Sequence, residues 1–148
     1  MPEKEPVLAP FLLTQNDGNI TAAAVGVANA WTDLWAYRVP NGVGIVLQAA
    51  DVISCYLDDG AEVGVDTCYV RIEVRDPSQE ATKLAFGPAL YNRVREFRNR
   101  NTVARLAVPE PMKVYARQWI VVMALDDGAI TMANSYFTLF TSKVAIPL

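Results

Sequence analysis

One nine-residue stretch constrains the fold most. From Thr67 to Arg75, Cys68, Val70, Ile72 and Val74 alternate with Tyr69, Arg71, Glu73 and Arg75. A period of two puts the apolar set on one face of an extended strand and the polar set on the other. Asp76-Pro77-Ser78 then stops the strand. Similar short apolar runs recur along the chain, each ended by turn residues. They are Trp35–Val39 before Pro40-Asn41-Gly42, Val43–Gln48 before Ala49-Ala50-Asp51, and Val52–Leu57 before Asp58-Asp59-Gly60. Further on come Ala81–Phe86 before Gly87-Pro88, Val103–Val108 before Pro109-Glu110-Pro111, Met112–Tyr115, Gln118–Leu125 before Asp126-Asp127-Gly128, and Ser135–Val144. Eight to ten such runs, with no helical periods of crossover length between them, predict an all-β antiparallel sandwich or barrel.

Two stretches read either way. Thr21 to Trp35 mixes alanines with Val25-Gly26-Val27, and Ala89 to Phe97 fits helical spacing (Leu90, Val94, Phe97) as well as a strand. At the start, Pro2, Pro6 and Pro10 forbid a stable helix and favour extended chain. Residues 1–20 therefore read as an extended N-terminal arm, and 21–148 as the sandwich domain. The arm carries Val7, Leu8, Phe11, Leu12 and Leu13. Those side chains lie either on their own domain or on a neighbouring subunit. In the second case, residues 2–13 are removable without unfolding the body.

Composition sharpens the functional reading. Of the 148 residues, 52% are hydrophobic and 20% charged, and the net charge is −3. That balance lacks the basic footprint of a nucleic-acid binder. No apolar run approaches the ~20 residues of a membrane-spanning helix, and the polar start lacks a secretory pattern, so synthesis in the cytoplasm is expected. The chain contains no histidine, which removes the commonest general base and metal ligand together. Phosphate-binding glycine loops, nucleophile elbows and HExxH are also missing. No enzyme, cofactor or metal site is expected.

The strand Gln118–Leu125 is apolar on both faces, whereas the outer face of an antiparallel sandwich is ordinarily polar. Trp119, Val121, Met123 and Leu125 share one of those faces. They call for cover by a loop, by the arm or by another subunit, and an oligomer contact is the favoured expectation. A second candidate is the basic stretch Arg93, Arg95, Arg98, Arg100 and Arg105, offset only by Glu96. Its guanidinium forks suit carboxylates on a partner protein. Cys55 and Cys68 face one another if 52–58 and 65–71 form a hairpin, but two buried, reduced thiols acting as small hydrophobes are the preferred reading. The two Asp-Asp-Gly segments lack the spacing of a calcium loop and read as turns.

The proline-spaced arm, the β body from Trp35 to Val144, the turn Val39-Pro40-Asn41-Gly42 and the closing runs 118–125 and 135–144 together resemble the small jelly-roll decoration (cement) proteins of tailed bacteriophages. More loosely, they resemble single jelly-roll capsid proteins. The resemblance is one of architecture and transfers no individual functional residue. It implies a homotrimer on the outer surface of a virion, bound to a major capsid protein and holding its lattice together. Alternatives are a carbohydrate- or receptor-binding β module with an exposed aromatic groove, and a major capsid subunit that builds shells itself.

Overall fold

The computed structural model describes residues 9–18, 28–47, 53–80, 82–95 and 112–145. Among them are nine strands: β1 (Ala9–Thr14), β2 (Thr32–Arg38), β3 (Val43–Leu47), β4 (Ile53–Tyr56), β5 (Tyr69–Arg75), β6 (Thr82–Leu90), β7 (Met112–Val114), β8 (Trp119–Leu125) and β9 (Tyr136–Ala145). A single helical turn, α1 (Tyr91–Val94), follows β6, and a 3-10 turn at Met132–Asn134 precedes β9.

The strands form two antiparallel sheets. One has the order β1-β9-β3-β7, with β4 also on β9, and the other has the order β2-β8-β5-β6. The pairings nest: β1 with β9, β2 with β8, β3 with β7, and β5 with β6. The chain is thus a long antiparallel hairpin rolled over itself, with successive pairs placed in alternate sheets. That is a jelly-roll topology. β3 and β4 run in series along β9, opposite Thr141–Ala145 and Tyr136–Leu139 respectively. The Pro40-Asn41-Gly42 turn, with Gly42 at φ 78°, carries the chain from one sheet to the other. It is not a hairpin turn.

The core lies between the sheets. The inner row of β5, Val70, Ile72 and Val74, meets Ile120, Val122 and Ala124 of β8, and Leu13, Ile45, Leu47, Phe137 and Leu139 come from the opposite sheet. Trp35 and Phe137 meet edge-on, with ring centroids 5.1 Å apart. Buried Tyr91 accepts the Leu57 N–H through its hydroxyl at 3.3 Å. That bond ties α1 to the end of β4. Burial of about 25 cal/mol per Å² of apolar surface is what holds the two sheets face to face.

Three expectations change. The described part of the arm is a strand of the roll: β1 pairs with Thr138–Lys143 of β9 and buries Leu13 completely. Removing residues 2–13 therefore strips an integral strand from the sandwich. Gly87-Pro88 does not end a strand but lies inside β6, where the register against β5 shifts between Val70 and Ile72. Gly87 sits at φ 84°, and a Cβ there would lie 2.6 Å from the Val70 carbonyl oxygen. Pro88 is tolerated because β6 is an edge strand, paired on one side only. Finally, β4 and β5 lie in different sheets, so Cys55 and Cys68 do not face each other across a hairpin; both are buried, with no disulfide between them. The expected strand at 103–108 and residues 21–27 of the ambiguous segment 21–35 fall outside the described residues, whereas Thr32–Trp35 is the start of β2.

Candidate functional site

Three regions bear the side chains that the sequence singles out. The first is the outer face of the β2-β8-β5-β6 sheet. Strand alternation places Trp119, Val121 and Met123 there, beside Ala36 and Arg38 of β2 and Arg71, Glu73 and Arg75 of β5. Val121 is 0% and Met123 6% exposed, although no second sheet among the described residues covers this side. The cover comes from the same chain. Trp31, Trp119 and Ala36 pack with Val121 and Met123 as a small separate cluster. The Arg71 guanidinium lies 4.3 Å from the centroid of the Trp31 ring, and its Nε contacts Met123 Sδ at 3.4 Å. Arg75 forks onto Asp33 at 2.7 and 2.9 Å and reaches Glu73 at 3.1 Å, while Arg71 holds the other oxygen of Glu73 at 3.0 Å.

Long arginine stems lie over apolar atoms while their heads remain paired. The hydrogen bond and charge of Asp33, followed by Glu73, push the Arg75 pKa upward despite its partial burial. Trp119 donates its indole N–H to the Pro77 carbonyl at 3.2 Å. Of the four side chains expected to meet another subunit, Val121 and Met123 are therefore already enclosed, while Trp119 and Leu125 keep partial exposure. Period-two patterning identified the apolar row, but no local signal paired it with Trp31 and the β5 arginines.

The second region is the exposed remainder. Leu12 on edge strand β1 is 56% exposed, and Leu84 on edge strand β6 is 51% exposed. Phe11 packs against the core, and its ring takes the Lys143 ammonium at 4.9 Å. In the basic stretch, Arg93 on α1 is exposed, whereas Arg95 is held by Glu62 at 2.6 Å. Val7, Leu8, Arg98, Arg100 and Arg105 lie outside the described residues.

The third region was read as two ordinary turns. The loop after β4 carries Asp58-Asp59-Gly60 and the loop after β8 carries Asp126-Asp127-Gly128, and the fold brings them together. Each is an Asx turn: the Gly60 N–H donates to Asp58 Oδ1 at 2.8 Å, and the Gly128 N–H donates to Asp126 Oδ2 at 3.2 Å. The Thr131 N–H donates to the Asp58 carbonyl at 2.8 Å, and the Asp58 N–H donates to Ser135 Oγ at 3.0 Å. Carboxylate oxygens of Asp59, Asp126 and Asp127 all lie within 4.8 Å of one another. Gly128 permits this approach, since a Cβ there would sit 2.7 Å from Asp59 Oδ2. Burial pushes the Asp126 carboxyl up to about 7, and the adjoining Asp59 carboxylate adds to the rise. Burial also pushes the nearby Cys68 thiol up to about 12, helped by the same three aspartates. The signal for this region was present in the sequence as a repeated Asp-Asp-Gly, but its two copies stand 68 positions apart.

The architecture is that of a jelly-roll β-sandwich, a class used by viral coat proteins among others. No protein-family model and no curated protein matches the chain. Solved structures do. A chain of the VP16-VP17 complex, a complex of the two major capsid proteins of bacteriophage P23-77, superposes with a TM-score of 0.66 at 8% identity, covering 95% of this chain and 100% of that one. VP17, a capsid protein of the same phage, superposes with a TM-score of 0.66 at 8% identity, covering 97% and 99%. The likeness spans both molecules end to end and is one of fold.

Proposed function

We propose that this chain is a structural subunit of a bacteriophage capsid, bound in the virion to a second capsid protein. The observation that carries the proposal is the match over 95% to 97% of this chain to capsid proteins of a bacteriophage. The side chains support it. The nearest thing to a convergent polar site among the described residues is a set of aspartates, and the tryptophans are turned to packing: Trp35 lies in the core, Trp31 and Trp119 roof β8, while Tyr69, Tyr115 and Tyr136 are exposed. With the tryptophans engaged in packing, a sugar-binding groove has less support than a structural role.

Two placements fit this role. The fold neighbours are shell proteins, which favours a lattice subunit. The resemblance to decoration proteins favours a homotrimer on the outer surface. In either case the exposed Leu12 of β1, Arg93, and the partly accessible Trp119 and Leu125 of the β8 face are candidate capsid contacts among the described residues, and the sequence adds Val7 and Leu8.

The test is to follow the chain, with an antibody, through particles released by cells carrying its native genome. Sedimentation with intact particles, labelling on their surface, and a trimer of the 16.3 kDa chain in solution would favour decoration. Incorporation into the shell in stoichiometric amount, with surface labelling lost, would favour the lattice subunit. A chain found only in the unsedimented fraction overturns the proposal.

A further inference from the structure

We propose that Asp59, Asp126 and Asp127 form a binding site for a hard divalent cation, calcium before magnesium, which clamps the two Asp-Asp-Gly turns together. Two independent observations meet here. One is the cluster itself, with one carboxylate oxygen from each residue inside 4.8 Å of the others. Oxygens around a calcium ion sit about 2.3–2.6 Å from it, so pairs on one ion span such separations.

The other is the state of Asp126. Its side chain is 2% exposed, and Oδ2 is held by the Gly128 N–H. Oδ1, however, is buried without a hydrogen-bond donor, and the Asp59 carboxyl lies within hydrogen-bonding reach of the Asp126 carboxyl. A buried carboxylate oxygen left unpaired is costly. A donor or a positive charge has to lie between Asp126 and Asp59, whether a proton shared by the two carboxyls, a bridging water or a cation.

The ligand chemistry selects the ion. The donors are all oxygens and the chain contains no histidine, which disfavours zinc and the later transition metals. The carboxylates come from two separate loops, and Asp127 is exposed. Water can therefore complete a shell of six to eight oxygens, an arrangement calcium accepts more readily than magnesium with its strict octahedron. Gly128 is part of the device, because any side chain there would drive the Asp59 carboxylate away. The effect of the ion would be mechanical. The connection after β4 and the connection after β8 would share one clamp at one end of the roll.

The experiment uses the full chain, stripped with a chelator and desalted, with calcium, magnesium or zinc chloride as the probe. Calorimetry should give one calcium per chain, and the thermal midpoint should rise by roughly 8 °C at about 100 times the dissociation constant. Magnesium should produce a smaller rise. Asp127→Asn, an exposed change that leaves the fold intact, should weaken calcium binding about tenfold or more, since affinity follows ligand charge. Asp126→Asn should abolish the calcium response while leaving the metal-free midpoint at or above that of the unaltered chain. Glu80→Gln, which removes an exposed charge outside the cluster, should leave the response unchanged. No heat and no thermal shift up to about 10 mM calcium, above the range of the weakest calcium modules, would mean that a proton or a water fills the gap and would overturn the site. So would a calcium response that survives both Asp126→Asn and Asp127→Asn, or one confined to zinc.

Discussion

The outer face of β8 and the acidic end of the roll make an instructive pair. On the first, an apolar row that patterning expects to need a foreign cover is enclosed by Trp31, Trp119, Arg71 and Arg75 of the same chain. On the second, two polar turns that local chemistry expects to be self-sufficient meet and leave a buried oxygen of Asp126 without a donor. The apolar face is satisfied internally and the polar one is not. Excess hydrophobicity is thus a weak guide to where a small β domain needs a partner. An unpaired buried polar atom is the stronger one, because dispersion contacts can be supplied by many neighbours, whereas a carboxylate oxygen needs a donor or a cation in one place.

The largest effect should come from breaking the roof over β8. Arg75→Met keeps the stem but leaves Asp33 without its bidentate partner and the buried Glu73 with Arg71 alone. Because one partner of a largely enclosed ion pair is removed, urea unfolding should show a loss of about 3 kcal/mol. A loss below about 0.5 kcal/mol, the range of ordinary surface changes, would show that the charges do not hold the cover.

Asp126→Asn should act in the opposite sense when a chelator is present. The Asp126 pKa is raised from 3.8 to about 7. The stability contributed by its protonated form is therefore complete below about pH 4 and is lost as pH rises through 7. The asparagine variant cannot ionise. Its advantage over the unaltered chain should grow from pH 4 to pH 8 in chemical denaturation, and a constant difference would show that Asp126 is not the titrating group.

The smallest effect on the fold belongs to Leu12→Lys. Leu12 is exposed on an edge strand, so stability should change by less than about 0.5 kcal/mol. If this surface meets a capsid partner, co-sedimentation with particles should fall while the unfolding curve stays in place. An unfolding midpoint that drops with it would show that Leu12 belongs to the domain's own packing.

Strand content was legible because it depends on local repetition. The alternation over Thr67–Arg75 became β5, the two-sided apolar run became β8, and the long final run became β9. The Gly87-Pro88 break misled because a bulge on an edge strand uses the same residues as a turn. Likewise, the apolar residues of Pro10–Leu13 look the same in a free arm as in a first strand. What makes them a strand is β9, about 130 positions later in the chain.

The sequence by itself determined that the chain builds short strands, buries one face of each, and carries no histidine chemistry. Tertiary structure alone decided which strands pair, that the outer row of β8 is roofed from within, and that two distant Asp-Asp-Gly turns face each other. The reason is physical. Hydrophobic alternation and turn preference act between residues a few positions apart, whereas the nested rolling of the hairpin joins residues through contacts that no local pattern records.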